Sequence, residues 1–357
     1  MRAVRLRPLT RRSLAAGIGV ILMSATLTGV ASAGSTATSS ANSPSEAVTV
    51  PAPVSSDVAQ EVTRTGKSRS AAIQAYWTEK RMREAIPVSA APSTVTPQSP
   101  SADAPATLHK VEPVAPSSPQ SLDHRKAGPS TKDIGVQVNA SITVGKIFYR
   151  NAVDGLNYVC SGASVNSSSR RLVSTAGHCV HGGGGRNWHQ NWAFVPYFNF
   201  GNRPYGTFPA TSLATFNGWS GSGNFDYDVA FAVVANNEFN QRLVDTVGGQ
   251  GLQTGQPRAR FMTMLGYPSE NPYPGDWQYF CQGNTAAAGA NQITMGCPLT
   301  RGQSGGPWLW AYNDSTGLGY INGTSSTLNR IVNPTQWWSP YFDNPDWDLF
   351  NYANGLP

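Results

Sequence analysis

Arg301-Gly302-Gln303-Ser304-Gly305-Gly306-Pro307 is the stretch on which the fold turns. A serine set among glycines sits on a tight turn that side chains cannot crowd, where bare backbone N–H groups can converge on one point. That arrangement suits a hydroxyl nucleophile with donors for a developing oxyanion. Glycine also marks ordinary turns, so the heptad needs partners before it carries chemistry.

A serine hydroxyl is a poor nucleophile at neutral pH and needs a base, normally a histidine oriented by a carboxylate. The chain has 5 histidines. His109 and His124 lie in a Pro-rich stretch, His178, His181 and His189 lie further on, and none follows Ser304. The embedded Gly302-x-Ser304-x-Gly306 pattern could be a nucleophile elbow, but that fold places its histidine after its serine. The subtilisin order needs an aspartate before the histidine, where only Asp133 and Asp154 stand, in unremarkable contexts. The order His, Asp, Ser remains. His181 and His189, among Gly182 to Gly185 and asparagines, read as solvated loop residues.

The segment Leu172-Val173-Ser174-Thr175-Ala176-Gly177-His178-Cys179 resembles the histidine box of the trypsin-like (chymotrypsin-fold) serine peptidases, and the turn around Ser304 resembles their nucleophile box. The resemblance spans about residues 135–357 and is nearest to secreted bacterial and glutamyl-endopeptidase-like members. It implies an all-β fold of two six-stranded antiparallel β-barrels with a short C-terminal helix. It also implies a catalytic triad of His178, Asp228 and Ser304. Asp228 is chosen because it precedes Val229-Ala230-Phe231, with Asp226 as the fallback. The backbone N–H groups of Gly302 and Ser304 would form the oxyanion hole, and Cys160 would bond Cys179. The strand at 320–326, with Thr324, Ser325 and Ser326, would pair with substrate backbone. No cofactor and no metal are implied.

Two departures bear on activation and specificity. Gln303 stands where animal trypsin-like zymogens carry the aspartate that receives the freed amino terminus. Pro298, six residues before the nucleophile, replaces the acidic pocket floor, and Gly323-Thr324-Ser325-Ser326 lacks the histidine of glutamyl endopeptidases. Neither a basic nor a glutamate preference is therefore encoded plainly, although Arg301 offers a charge near the site.

The rest of the sequence agrees with an exported enzyme. The 357 residues are 39% hydrophobic and 13% charged, with 36 Gly, 26 Pro and 4 Cys, which argues against a transporter, a coiled coil or a disulfide-dense mini-protein. The formal charge of +6 is concentrated at the start, where Arg2, Arg5, Arg7, Arg11 and Arg12 face no acid within residues 1–33. From Lys132 onward bases and acids balance at 12 each, so no electrostatic footprint for nucleic acid exists there. Residues 1–33 read as a signal peptide, with an apolar stretch over 14–27 and the cleavage pattern Ala31-Ser32-Ala33. Secretion follows, with no membrane partner after cleavage. Protein or peptide substrates and a monomer are expected.

Residues 34–132 are dominated by Ala, Ser, Thr, Pro and Val, a composition that reads as a largely disordered pro-region or linker. One island, 69–86, has helix-forming residues with Ile73, Trp77, Arg81 and Ala85 at i, i+4 spacing and Glu79 placed to pair with Arg83. It reads either as a helix docked on the following domain or as a marginal helix in a stalk. Candidate processing points follow Arg125-Lys126 and Lys132. Residues 133–357 carry many short β-type runs bounded by Gly, Asn, Ser and Pro, which predicts a closed all-β domain. A final helix is expected around 342–352, limited by Pro345. All four cysteines, at 160, 179, 281 and 297, lie in this part. Disulfides are the default for an exported chain, and nearest-neighbour pairing would stabilise by about 3 kcal/mol each. A metal site of Cys179 with His178 and His181 is the alternative, with no zinc-knuckle spacing to support it. A catalytically silent relative and an esterase are the competing functions.

Overall fold

The computed structural model describes residues 43–88, 107–117, 138–328 and 335–357. The expected signal peptide and both candidate processing points lie outside the described residues.

The N-terminal part contains strand β1 (Ala47–Pro51), helices α1 (Ser56–Thr65), α2 (Arg69–Tyr76) and α3 (Glu79–Arg83), and the short strands β2 (Ile86–Pro87) and β3 (His109–Val111). Its composition predicts little packed structure, yet these residues fold. They build no core of their own; their few apolar side chains are buried on the domain that follows. Ala72, Ile73 and Trp77 are all buried, each large one contributing about 2 kcal/mol or more. The Trp77 indole donates to the Asn191 carbonyl at 2.6 Å, and its ring lies 5.5 Å from Phe148. That anchor ends α2, because Trp77 leaves the helical path and Thr78 caps a new helix by accepting from the Arg81 N–H. The single helix expected over 69–86 is therefore two, although the Glu79–Arg83 ion pair forms at 2.9 Å.

The first barrel consists of β4 (Val144–Arg150), β5 (Asn157–Val165), β6 (Leu172–Thr175), β7 (Gln190–Pro196), β8 (Phe208–Phe216) and β9 (Ala230–Val234), with helix α4 (Asn217–Ser220) between the last two. The strands pair in the ring β4-β5-β6-β9-β8-β7, all antiparallel, and β4–β7 closes it. Closure removes free edges within this ring. β1 adds outside β8, from Ala47 opposite Phe216 to Pro51 opposite Ser212. The β9 sequence AFAVV is buried throughout. Its outer face is covered too, since Phe350 of α6 (Asn344–Asn354) meets Phe231 at 5.8 Å.

The second half follows α5 (Leu243–Val247) and comprises β10 (Gly251–Thr254), β11 (Phe261–Gly266), β12 (Tyr279–Asn284), β13 (Ala286–Ala288), β14 (Gln292–Gly296), β15 (Pro307–Asn313), β16 (Leu318–Thr324), β17 (Thr327–Leu328) and β18 (Gln336–Pro340). One sheet runs β12-β11-β15-β16-β10-β3 and the other β13-β14-β18-β17. Met262, Met264, Met295, Trp308 and Trp337 fill the core between them. Trp337 is thus a packing residue, its indole bonded to the Leu299 carbonyl at 2.9 Å. Pro345 does not limit the final helix. It sits in the first turn of α6, where a missing N–H costs nothing, and Asp343 and Asp346 form a reciprocal capping box there.

Candidate active site

Each side chain of the site is delivered by a chain reversal at a strand end. β6 runs into a single tight turn, Gly177–Cys179, that carries His178. Gly177 is required there: a Cβ would lie 2.7 Å from the Trp219 ring and 2.9 Å from Asp228 Oδ1. Cys179 is bonded to Cys160 of β5, fixing the turn to the neighbouring strand. Asp228 ends the short turn Phe225–Tyr227 immediately before β9 and is fully buried.

The carboxylate grips the histidine twice. Asp228 Oδ1 accepts from the His178 backbone N–H at 2.7 Å, and Oδ2 lies 2.8 Å from His178 Nδ1. Ser326 Oγ donates to the same Oδ2 at 2.5 Å. The imidazole is thereby held with Nδ1 as donor, and the buried Nε2 makes no hydrogen bond. Asp226, the fallback, is occupied elsewhere: its Oδ1 accepts from Gln292 Nε2 at 2.8 Å.

Ser304 lies between β14 and β15 on the glycine turn. Gly302 and Gly305 have φ of +94° and +77°, the left-handed region that favours glycine. A Cβ on Gly305 would sit 2.1 Å from Thr175 Oγ1 and 3.1 Å from the Ala176 N, so the nucleophile turn packs directly against the end of β6. The Ser304 carbonyl accepts from the Ser161 N–H at 2.7 Å, and Ser161 Oγ donates to the Gly302 carbonyl at 2.8 Å. Gln303 is buried beneath, its amide bonded to the Leu265 carbonyl at 2.9 Å. The Ser304 hydroxyl does not reach for His178. It donates to the backbone carbonyl of Val88 at 2.9 Å, and the Gly302 N–H, a candidate oxyanion donor, points at the same carbonyl at 3.2 Å.

The strand expected to receive substrate already has bonded N–H groups at three positions. Thr324, Ser325 and Ser326 are buried, and their N–H groups are already bonded to Ser339 Oγ, the Gly306 carbonyl and the Trp338 carbonyl. Ser325 Oγ accepts from the Trp308 indole at 3.1 Å. These residues brace the nucleophile turn from below, and Ser326 supports Asp228, a contact that no local motif announces.

His181 and His189 are also placed differently from the sequence reading. Both are buried. His181 Nδ1 accepts from the Gly183 N–H at 3.0 Å, and the Trp219 indole bonds its carbonyl at 2.9 Å. His189 stacks on Tyr149 with centroids 4.1 Å apart, and its Nε2 lies 3.1 Å from the His178 carbonyl. Burial pushes its pKa down to about 3, so the folded protein holds it neutral where an unfolded chain would protonate it near pH 6.5. The unfolded state then binds the extra proton, and stability falls as pH drops below about 6.5. Urea unfolding at pH 7 and pH 5 is expected to show His189 contributing about 2 kcal/mol of acid destabilisation. The difference should shrink by about that much in His189→Gln, the buried His181 contributing separately because burial lowers its pKa to about 4; an unchanged pH dependence in that variant would refute the assignment.

Cys281 and Cys297 are not bonded to each other, against the expected second disulfide. They lie in one apolar cluster, Cys281 in β12 and Cys297 just past the end of β14, and Cys281 Sγ is turned to the Gly296 carbonyl at 3.6 Å. The packing of methionines and tryptophans around them holds this region without the cross-link.

Among the described residues the cluster of three side chains of metal-ligand type is Cys160, His178 and Cys179. The two sulfurs are joined to each other, so this cluster lacks the thiolates a soft metal needs. No family model matches the sequence. It is 26% identical over 244 residues, 64% of this chain and 72% of the relative, to an extracellular metalloprotease of Bacillus subtilis (strain 168). Among solved structures, the thermostable serine protease AL20 from an extremophilic microorganism is 30% identical with a TM-score of 0.56, over 61% of this chain and 99% of that one. The protease Anisep from Arthrobacter nicotinovorans is 31% identical with a TM-score of 0.56, over 65% of this chain and 99% of that one. With nearly the full length of both solved proteases matched, and a closed barrel carrying the histidine turn beside the serine turn, the chain belongs to the chymotrypsin-fold serine peptidases.

Proposed function

We propose that this serine peptidase is an exported endopeptidase that hydrolyses peptide bonds through an acyl-enzyme on Ser304. The supporting observation is the imidazole of His178, held through Nδ1 by a buried carboxylate with Nε2 left unbonded, while the Ser304 turn packs against Ala176 just before it. Once the Ser304 hydroxyl turns to Nε2, His178 takes its proton as the oxygen attacks the scissile carbonyl. The imidazole then returns that proton to the leaving amine. Asp228 keeps the tautomer and balances the imidazolium. The Gly302 N–H, joined by that of Ser304, faces the oxyanion. Water repeats the sequence to release the acid. Export rests on residues 1–33; no helix among the described residues is long and apolar enough to cross a membrane.

The test is cleavage profiling of the activated enzyme, recovered from culture medium, on a peptide library and on matched esters. Internal peptide cleavage with masses lacking residues 1–33 is expected. Ester turnover without peptide cleavage would make the protein an esterase, and turnover of neither would make it a binding protein.

A further inference from the structure

The N-terminal segment does more than dock. β1 pairs along the outside of β8, Asn191 clamps Ser55 through two hydrogen bonds of 2.9 and 2.7 Å, and Tyr76 OH donates to Asn157 Oδ1 at 2.8 Å. These anchors lead the chain into β2, which pairs with β5 in parallel, Ile86 opposite Tyr158 and Pro87 opposite Val159. The Val88 N–H then donates to the Val159 carbonyl at 3.2 Å. Its carbonyl meets the Gly302 N–H and the Ser304 hydroxyl, as described above.

Resting on the peptidase reading, we propose that residues 43–88 are a built-in inhibitor of this site, which Val88 caps with its backbone carbonyl and with chain direction opposite to that of a substrate. Two effects act together. The Gly302 N–H that would meet an oxyanion is already occupied. The Ser304 hydroxyl donates its hydrogen bond to the Val88 carbonyl oxygen, so it does not donate to His178 Nε2 and is not activated.

Direction explains why the segment blocks the site without being cut. In a substrate the residues after the scissile carbonyl belong to the leaving amine, which must lie where His178 can protonate it. We take that side to be the one next to the His178 turn, which the Cys160–Cys179 bridge ties to β5. Here the residues along β5 are those before the carbonyl. In this proposal the residues before the Val88 carbonyl occupy the side that a substrate gives to its leaving group, so the segment is not presented as a substrate.

The experiment measures the rate at which a small sulfonyl fluoride labels Ser304 in the full chain, read by peptide mass mapping. Wild type is compared with Val88→Pro, which lacks the N–H that bonds Val159, and with Pro87→Gly/Val88→Gly, which raises the entropy cost of ordering the segment. Thermal unfolding confirms that both fold. Labelling about ten- to a hundredfold faster in the variants is expected, from the loss of two or three hydrogen bonds. No cut between Val88 and Ser89 should appear in any active preparation. Equal rates in all three chains, or cleavage after Val88, would overturn the proposal. Failure of Ser304 to label in every chain, including one stripped of residues 43–88 by limited proteolysis, would instead overturn the nucleophile assignment beneath it.

Discussion

Replacing Ser304 with alanine lowers kcat of the activated enzyme by a factor on the order of 10⁶, with KM nearly unchanged. The size follows from the geometry. In the proposed mechanism the hydroxyl is the nucleophile, and no second hydroxyl substitutes for it, because the glycine turn fixes one side chain at that point. His178 held by Asp228 then has no oxygen to deprotonate. What survives is binding plus whatever the oxyanion donors supply, and removal of the serine or the histidine alone costs about as much as removal of the whole triad. The fold is untouched, since the Ser304 backbone carbonyl keeps its bond to Ser161. Initial rates and KM measured on one peptide check this; a loss of less than about a hundredfold would place the nucleophile elsewhere.

Asp228→Asn is expected to lower kcat by roughly 10⁴ without loss of folding. The carboxylate accepts three hydrogen bonds, from the His178 N–H, His178 Nδ1 and Ser326 Oγ. An amide is the same shape but offers one oxygen. With its NH₂ beside Nδ1 the ring must turn donor at Nε2, the atom that has to accept from serine. If instead the oxygen faces Nδ1, the NH₂ faces the His178 backbone N–H, donor against donor. The imidazolium formed during attack also loses its buried counter-charge. Activity of Asp228→Asn within tenfold of wild type would show that the carboxylate only packs.

The two motifs read most plainly in sequence are those whose chemistry demands glycine or a short strand-end turn: 172–179 and 301–307. The resemblance separates Asp228 from Asp226, because the family's acid enters a buried strand before an alanine, and in the structure Asp226 accepts instead from Gln292. What stayed illegible has a common cause. Ser326, Trp219 and Asn191 act on partners 38 to 136 residues away through one or two hydrogen bonds, which leave no local pattern. His181 and His189 look solvated beside four glycines, yet aromatic neighbours bury them. The N-terminal segment is poor in apolar residues on average, but Ile73 and Trp77 suffice once a finished barrel supplies the other half of the interface. A backbone carbonyl, such as that of Val88, has no sequence signature at all.

The most direct test is to trap the covalent intermediate. The activated enzyme is mixed with an activated ester, quenched in acid within the first turnover, and mapped by mass spectrometry. An acyl mass on the peptide containing Ser304, absent in Ser304→Ala, is the predicted result. Full turnover with no adduct at Ser304, or with the acyl group on another residue, would contradict it.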